Sequence, residues 1–231
     1  MARPPRPTEK LLQAAKGVPS RRQQYSASTK RALVDTAQQH FATHGYAGTS
    51  LDTIVAGARV TKGALYHHFG GKQAVFEAVF ESVEDDATRR ITRALKGSRD
   101  PWEKAMAGLQ AFLSVVQDPT YQRIVIQEGP AILGYERFRE QEERSTFGIV
   151  QDIVRAVLES SIYELDDDMV QTFSRIFFGA MSAAGESVGT AEDPKLAVAR
   201  VETAIGFILA GMRSLAEQGI RLPDPADAVR D

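Results

Sequence analysis

The residues with the greatest potential for chemistry lie together at positions 61–69, Thr-Lys-Gly-Ala-Leu-Tyr-His-His-Phe. Lysine donates hydrogen bonds to guanine acceptors, and tyrosine and histidine donate to phosphates or base edges. Gly63 and Ala64 have almost no side chain, so the backbone beside them can approach another molecule closely. This combination predicts a short helix that enters the major groove of DNA.

Such a helix has an outward side and an inward side. Lys62, Tyr66 and His67 are expected to face outward, whereas Leu65 and His68 are expected to pack inward. A helix of this length is not stable by itself. Neighbouring elements must therefore hold it on the surface.

The sequence offers little support for catalysis or metal binding. It has no cysteine, which excludes thiolate ligands and a cysteine nucleophile. His40 and His44 are four residues apart but lack a third candidate ligand, so no metal site is predicted. Residues 185–189 spell the Gly-x-Ser-x-Gly pattern of hydrolases, but a helix rather than a strand is predicted before the serine. No cofactor and no enzymatic activity are expected.

The sequence predicts three consecutive helices, and the stretch at 61–69 is the third of them. A hydroxyl-bearing residue that can cap a helix N-terminus precedes each of them, namely Ser28 or Thr29, Thr49 or Ser50, and Thr61. Gly45 ends the first helix after His44, and Gly70 and Gly71 end the third. The tight turn at residues 59–61 joins the last two helices, which predicts a helix-turn-helix.

The same region resembles the N-terminal signature of the tetracycline-repressor (TetR-like) regulators of bacteria. The resemblance rests on residues 41–46, 49–54, 60–69 and Lys72, and it extends over residues 29–80. It implies an all-α protein of about nine helices, with a three-helix DNA-binding domain followed by a larger helical domain for ligand binding and dimerisation.

The resemblance also implies which residues contact DNA. The positions that match the DNA-contacting residues of the family are Thr61, Lys62, Gly63, Ala64, Tyr66 and His67. Thr49 or Ser50 and Lys72 match phosphate contacts at two helix N-termini. Gly70 and Gly71 stand where the family often has a polar or basic residue, so backbone amides or Lys72 must supply that contact.

Charge is divided unevenly along the chain. Residues 1–72 hold 11 lysines and arginines against 3 acidic residues, whereas residues 73–231 hold 17 against 27. A basic first third favours a nucleic-acid partner. We expect a disordered basic arm at 1–27, which either contacts DNA or is inert, a DNA-binding domain at 28–75 and a helical domain at 76–231.

Apolar periodicity of three and four residues predicts helices throughout the second domain. A long helix from Lys72 to Lys96 links the two domains, and further helices are predicted at 102–117, 120–128, 131–161, 169–187 and 194–218. A break is expected at Gly129-Pro130 and a disruption near Gly134 or Gly148. The longest apolar run, 176–185, is far below the ~20 residues that span a bilayer, so a soluble, cytoplasmic protein without membrane contact is expected.

The second domain is rich in aromatic residues, which favours a cavity for a small apolar or aromatic ligand. The predicted lining consists of Trp102, Met106, Phe138, Phe147, Phe177 and Met181. The last two helices carry apolar residues on more than one side, which predicts a four-helix interface in a homodimer. The residues expected in that interface are Phe178, Ala183, Ile205, Ile208 and Met212.

We therefore expect a homodimeric, ligand-responsive transcriptional regulator that binds a palindromic operator in double-stranded DNA. A repressor is favoured, although an activator has the same sequence pattern. The alternative from another class is a helical small-molecule binder or enzyme with a vestigial helix-turn-helix. That alternative predicts weak DNA binding that is indifferent to base sequence.

Overall fold

A computed structural model describes residues 20–161 and 166–220, and the described chain is helical throughout, without strands. The nine helices of these residues are α1 (Arg21–Gly48), α2 (Leu51–Gly57), α3 (Lys62–His68), α4 (Lys72–Leu95), α5 (Pro101–Val116), α6 (119–133), α7 (135–159), α8 (Asp167–Gly189) and α9 (Pro194–Glu217). Two of them contain π-helical turns, at Gln122–Glu128 in α6 and at Glu143–Phe147 in α7. The predicted all-α fold is confirmed.

The first helix begins earlier than the sequence pattern predicted. Ser20 caps it by accepting a hydrogen bond from the Gln23 backbone N–H, and the Gln23 side chain accepts one from the Ser20 N–H. This reciprocal capping box starts the helix at Arg21. The predicted start at Ser28 or Thr29 is therefore wrong, and residues 20–27 are not a disordered arm. The rest of that arm, residues 1–19, lies outside the described part of the chain.

Aspartate caps start most of the later helices. An aspartate carboxylate accepts backbone N–H bonds at the start of α5, α6, α8 and α9, and the four residues are Asp100, Asp118, Asp166 and Asp193. In three of these helices proline follows directly, where its missing N–H costs no hydrogen bond. These boundaries agree with the predicted ones to within a few residues.

The predicted break at Gly129-Pro130 is wrong. Helix α6 continues across Pro130, which directly follows the π-helical turns of Gln122–Glu128 at a position near the start of the α-helical segment Gly129–Leu133. The helix ends instead at Gly134, whose φ of 80° is strained for any residue with a Cβ. Helix α7 starts directly after this glycine.

One continuous apolar core joins the first three helices to the rest. Phe41 of α1 and Phe76 of α4 are fully buried, and their rings meet edge to face at 5.3 Å. Ile91, about four turns further along α4, belongs to the same core. Helix α4 therefore lies in both predicted domains, and the predicted boundary at residue 75 falls inside it.

The outer side of α8 and α9 is apolar and open to solvent. Phe207 is 79% exposed and Ile176 is 63% exposed, which is far more than a core side chain allows. Small residues, including Gly179 and Ala180, extend the same exposed region on α8. Among the helices of the described residues, none combines the length and apolar character needed to cross a membrane.

Candidate DNA-binding surface and ligand cavity

Helices α2 and α3 form the helix-turn-helix that the sequence predicted. Ser50 caps α2 by accepting from the Thr53 N–H at 3.1 Å, and Thr61 caps α3 by accepting from the Ala64 N–H at 3.2 Å. The buried side chains of Ile54 and Leu65 anchor the two helices to the core. The opposite side of α3 therefore faces solvent.

That exposed side carries the predicted DNA-contacting residues. Lys62, Gly63 and His67 are exposed, and Tyr66 is 60% exposed. Ala64 is half-buried beside them. The Tyr66 ring and hydroxyl thus face solvent beside Lys62 and His67, where a partner molecule can reach all three side chains.

An ion pair holds Lys62 across the turn between α2 and α3. Its Nζ lies 2.7 Å from Oδ1 of Asp52, and both side chains are about two-thirds exposed. The hydrogen bond to Asp52 and the charge of that carboxylate raise the pKa of Lys62. The lysine is thus charged, and in the free protein its ammonium group lies against Asp52.

His68 packs inward, as predicted. Its ring is half-buried against Phe69, with the ring centroids 6.3 Å apart. Burial lowers the pKa of His68, and the neighbouring His67 and Lys30 lower it further. A neutral imidazole is suited to the core rather than to phosphate binding.

The residues predicted to contact phosphates differ in how far their side chains face solvent. Thr49 is only 3% exposed, and its hydroxyl donates to the Gly45 carbonyl at 2.8 Å, so its side chain does not face outward. Ser50 is exposed, and its hydroxyl lies 2.8 Å from the hydroxyl of Thr53. The exposed Thr53 is a further candidate for a phosphate contact, which the sequence pattern missed. Lys72 is half-buried, with its Nζ 4.3 Å from the ring centroid of Tyr46.

The second domain contains a cavity of about 760 Å³, within the range of small-molecule sites, roughly 300–1,000 Å³. Three of the predicted lining residues, Phe138, Phe177 and Met181, line it. Further rings on its wall that the sequence pattern missed are those of Phe112, Tyr121, Tyr135, Phe173 and Phe178.

The other three predicted lining residues, Trp102, Met106 and Phe147, do not reach this cavity. Trp102 lies in the first turn of α5, next to the N-terminal cap. Met106 packs towards Gly206 of α9, and the ring of Phe147 meets that of Phe178 edge to face at 5.5 Å. Periodicity does not distinguish a side chain at a helix contact from one at a cavity, which explains the error.

One end of the cavity is polar, which the sequence pattern also missed. Its polar lining includes Glu84, Tyr121, Arg139, Glu142 and Ser182. Burial raises the pKa of the Glu84 carboxyl and raises that of the Tyr121 phenol well above its usual value. Burial also raises the pKa of Glu142 to about 7, although the nearby Arg139 opposes this shift.

A contact between α1 and α6 joins the DNA-binding helices to the cavity wall. The Tyr46 N–H donates to both carboxylate oxygens of Glu128, at 2.9 and 3.1 Å. Arg123 forms an ion pair with Glu128 at 3.2 Å. Gly45 permits this approach because a Cβ at that position would lie 2.3 Å from the Arg123 guanidinium.

The residues predicted for the dimer interface occupy different environments. Phe178 is 5% exposed and packs inside the protomer, beneath the Arg139 guanidinium, so its assignment to the interface is wrong. Ile205 and Met212 are half-buried and line the cavity. Ala183 and Ile208 are exposed in the protomer, although Ala183 also borders the cavity, and their place in an interface stays a prediction.

Comparisons with known proteins agree with this geometry. Residues 33–79 match the family model described as bacterial regulatory proteins, tetR family, and residues 102–212 match a tetracyclin repressor-like C-terminal domain. The Transposon Tn10 TetC protein of Escherichia coli is 26% identical over 169 residues, which cover 73% of this chain and 85% of that protein. The HTH-type transcriptional regulator TtgW of Pseudomonas putida is 31% identical over 101 residues, 44% of this chain and 75% of that protein.

A solved structure extends the likeness to the whole fold. A TetR-family transcriptional regulator from Pectobacterium atrosepticum superposes with a TM-score of 0.72 at 27% sequence identity. The superposition covers 84% of this chain and 97% of that structure. The helix-turn-helix and the cavity-bearing domain are thus shared as one arrangement.

We predict that Lys62→Ala and Tyr66→Ala each weaken specific DNA binding by about 5- to 150-fold, because each removes a groove contact. The measurement is fluorescence anisotropy with DNA that flanks the gene for this protein. Lys96→Ala is the matched control, since Lys96 is an exposed lysine at the far end of α4 and should leave binding unchanged. If a variant that carries both substitutions binds this DNA as tightly as the unmodified protein, α3 is not the recognition helix.

Proposed function

The chain belongs to the tetracycline-repressor family of bacterial regulatory proteins, and we propose that it acts as a homodimeric repressor released from a palindromic operator by a small ligand. It is a sequence-specific DNA-binding regulator of transcription and not an enzyme. The ligand would occupy the cavity of the second domain. Release would follow from a change in the spacing of the two α3 helices.

The observation that carries this proposal is the dual position of α4. Near its start, Phe76 packs into the core that supports α3, whereas Glu84 and Ile91 line the cavity. Phe76 and Glu84 are eight residues apart, a distance of about 12 Å along a helix. A ligand that displaces the middle of α4 would therefore move the helix-turn-helix with it.

Helix α6 provides a second connection between the cavity and the DNA-binding helices. Val125, Ile126 and Gln127 line the cavity, and the next residue, Glu128, holds the Tyr46 amide of α1. The π-helical conformation of this segment leaves its backbone less regular than an α-helix. Small changes at the cavity wall would thus reach α1 through a charged hydrogen bond.

Dimerisation gives this movement its effect on DNA binding. Two α3 helices in successive major grooves must lie about 34 Å apart on a palindrome. A ligand that favours a different separation shifts the population away from the DNA-bound form without damaging either recognition helix. Repression would end because both half-sites cannot be occupied together.

The exposed apolar side of α8 and α9 suits the dimer interface. It carries Ile176 on α8, and Phe207 and Ile208 on α9, all more than half exposed in the protomer. Exposed small residues such as Ala183 would let the helices of a partner approach closely. A four-helix contact would bury these side chains.

We predict that Ile208→Glu raises the dimer dissociation constant by about 100-fold or more, because two symmetry-related carboxylates would be buried without partners. Size-exclusion chromatography with light scattering measures the mass, and operator binding should weaken in parallel. Glu192→Lys, in the exposed loop before α9, is the control and should remain dimeric. A variant at Ile208 that stays dimeric at micromolar concentration would show that this side of α9 is not the interface.

We also predict that Glu128→Gln lowers operator affinity by about 3- to 30-fold, although Glu128 lies outside the DNA-binding helices. The amide side chain loses the charge that holds the Tyr46 N–H and Arg123, so α1 is less well ordered relative to α6. Fluorescence anisotropy measures the change. The control is Glu136→Gln, an exposed glutamate of α7. Equal affinities of the Glu128 variant and the control would exclude this contact from the coupling.

A further inference from the structure

The cavity joins an apolar body to a single acidic end. Most of its wall is aliphatic and aromatic, including the rings of Phe112, Phe138 and Phe177. The buried acidic end is formed by Glu84 of α4 and Glu142 of α7, whereas a third acidic residue of the lining, Glu186 of α8, is exposed to solvent. A ligand that fills the whole cavity must therefore be amphipathic.

Glu84 is the most unusual residue at this end. It is 2% exposed, and one carboxylate oxygen accepts the hydroxyl of Ser145. The other oxygen, Oε1, accepts no hydrogen bond of normal geometry among the described residues, although the buried Tyr121 phenol lies beside the carboxylate. A buried carboxylate oxygen without a partner destabilises the protein, so the site favours a molecule that donates to it.

The charges around Glu84 restrict what that molecule is. Arg139 is the one cationic residue among the described residues of the lining, and it is already paired with Glu142 at 3.4 Å and with Glu143 at 3.9 Å. Its guanidinium also lies over the Phe178 ring, 5.6 Å from the centroid. No protein cation within this part of the chain therefore neutralises Glu84.

We propose that the cavity binds a small organic cation with an apolar alkyl or aromatic body and one protonated nitrogen that donates to Oε1 of Glu84. The ammonium group would supply both the missing hydrogen bond and the missing positive charge. The surrounding aromatic rings would also favour a cation over a neutral group. This inference rests on the proposed role of the cavity as the ligand site.

Three probes of the same shape test this ligand class on the full-length protein. They are 4-phenylbutylammonium, 4-phenylbutanol and 4-phenylbutanoate, and isothermal titration calorimetry measures each affinity. The ammonium is expected to bind about tenfold or more tightly than the alcohol, because only a charged donor forms a charge-assisted bond to the carboxylate. The carboxylate is expected to bind most weakly. Equal or reversed affinities, or no binding of the ammonium at millimolar concentration, would overturn the proposal.

Glu84→Gln, which preserves the shape of the side chain, tests the assignment to this residue. It should lower the ammonium affinity about tenfold or more and change the alcohol affinity by less than about threefold. Glu81→Gln, an exposed glutamate one turn earlier on α4, is the control and should change neither. Should the Glu84 variant fail to fold, as judged by thermal melting, the order of the three probes on the unmodified protein still decides.

Operator binding separates this inference from the proposed function. If the protein binds its operator specifically but does not prefer the ammonium probe, the ligand class is wrong and the regulatory role stands. If it does not bind DNA specifically, the regulatory role fails whatever the cavity prefers. The two outcomes are measured independently, by anisotropy and by calorimetry.

Discussion

A charged hydrogen bond fixes the orientation of α1 relative to α6, within the apolar core that joins the two parts of the molecule. The carboxylate of Glu128 accepts the Tyr46 N–H of α1, and its position is fixed by Arg123 on the same helix. The contact requires a residue without a side chain at position 45, where the chain adopts a φ of 71°. Glycine at position 45 is therefore needed both for the backbone conformation there and for the contact between α1 and α6.

This contact acts together with α4, which enters both the core beneath α3 and the wall of the cavity. A rigid helix transmits a displacement, whereas a hydrogen bond at a helix end constrains an orientation. The cavity touches both elements, through Glu84 and Ile91 on α4 and through Ile126 on α6. Ligand binding and DNA binding are thus connected by packed structure rather than by direct contact.

The sequence predicted the DNA-binding half better than the ligand-binding half, for a physical reason. The caps Ser50 and Thr61 act on amides three residues away, so their effect is visible locally. The start of α1 is also encoded locally, in the capping box of Ser20 and Gln23, although the apolar pattern indicates a later start. The burial of Thr49, by contrast, depends on the tertiary position of the chain around Gly45.

The lining of the cavity could not be predicted from local sequence, because it comes from helices that are distant in sequence. Glu84 lies on a helix whose other acidic residues are mostly exposed, and only packing against α6 and α7 shows that it is buried. Phe177 and Phe178 are adjacent and both line the cavity, yet only Phe178 is fully buried in the protomer. Whether a side chain faces the cavity or a neighbouring helix depends on its direction, which the periodicity of the sequence does not specify.

The coupling between cavity and DNA-binding helices is tested most directly by the distance between the two copies of α1 in the dimer. The chain has no cysteine, so Thr43→Cys provides one exposed labelling site per protomer for electron–electron double resonance. The distance distribution is measured in the free protein, with operator DNA and with whichever of the three cavity probes calorimetry shows to bind, at a saturating concentration. The account predicts a narrow distribution on DNA and a different mean distance with the cavity ligand. The same distribution in all three states, or no dipolar coupling between protomers, would contradict it.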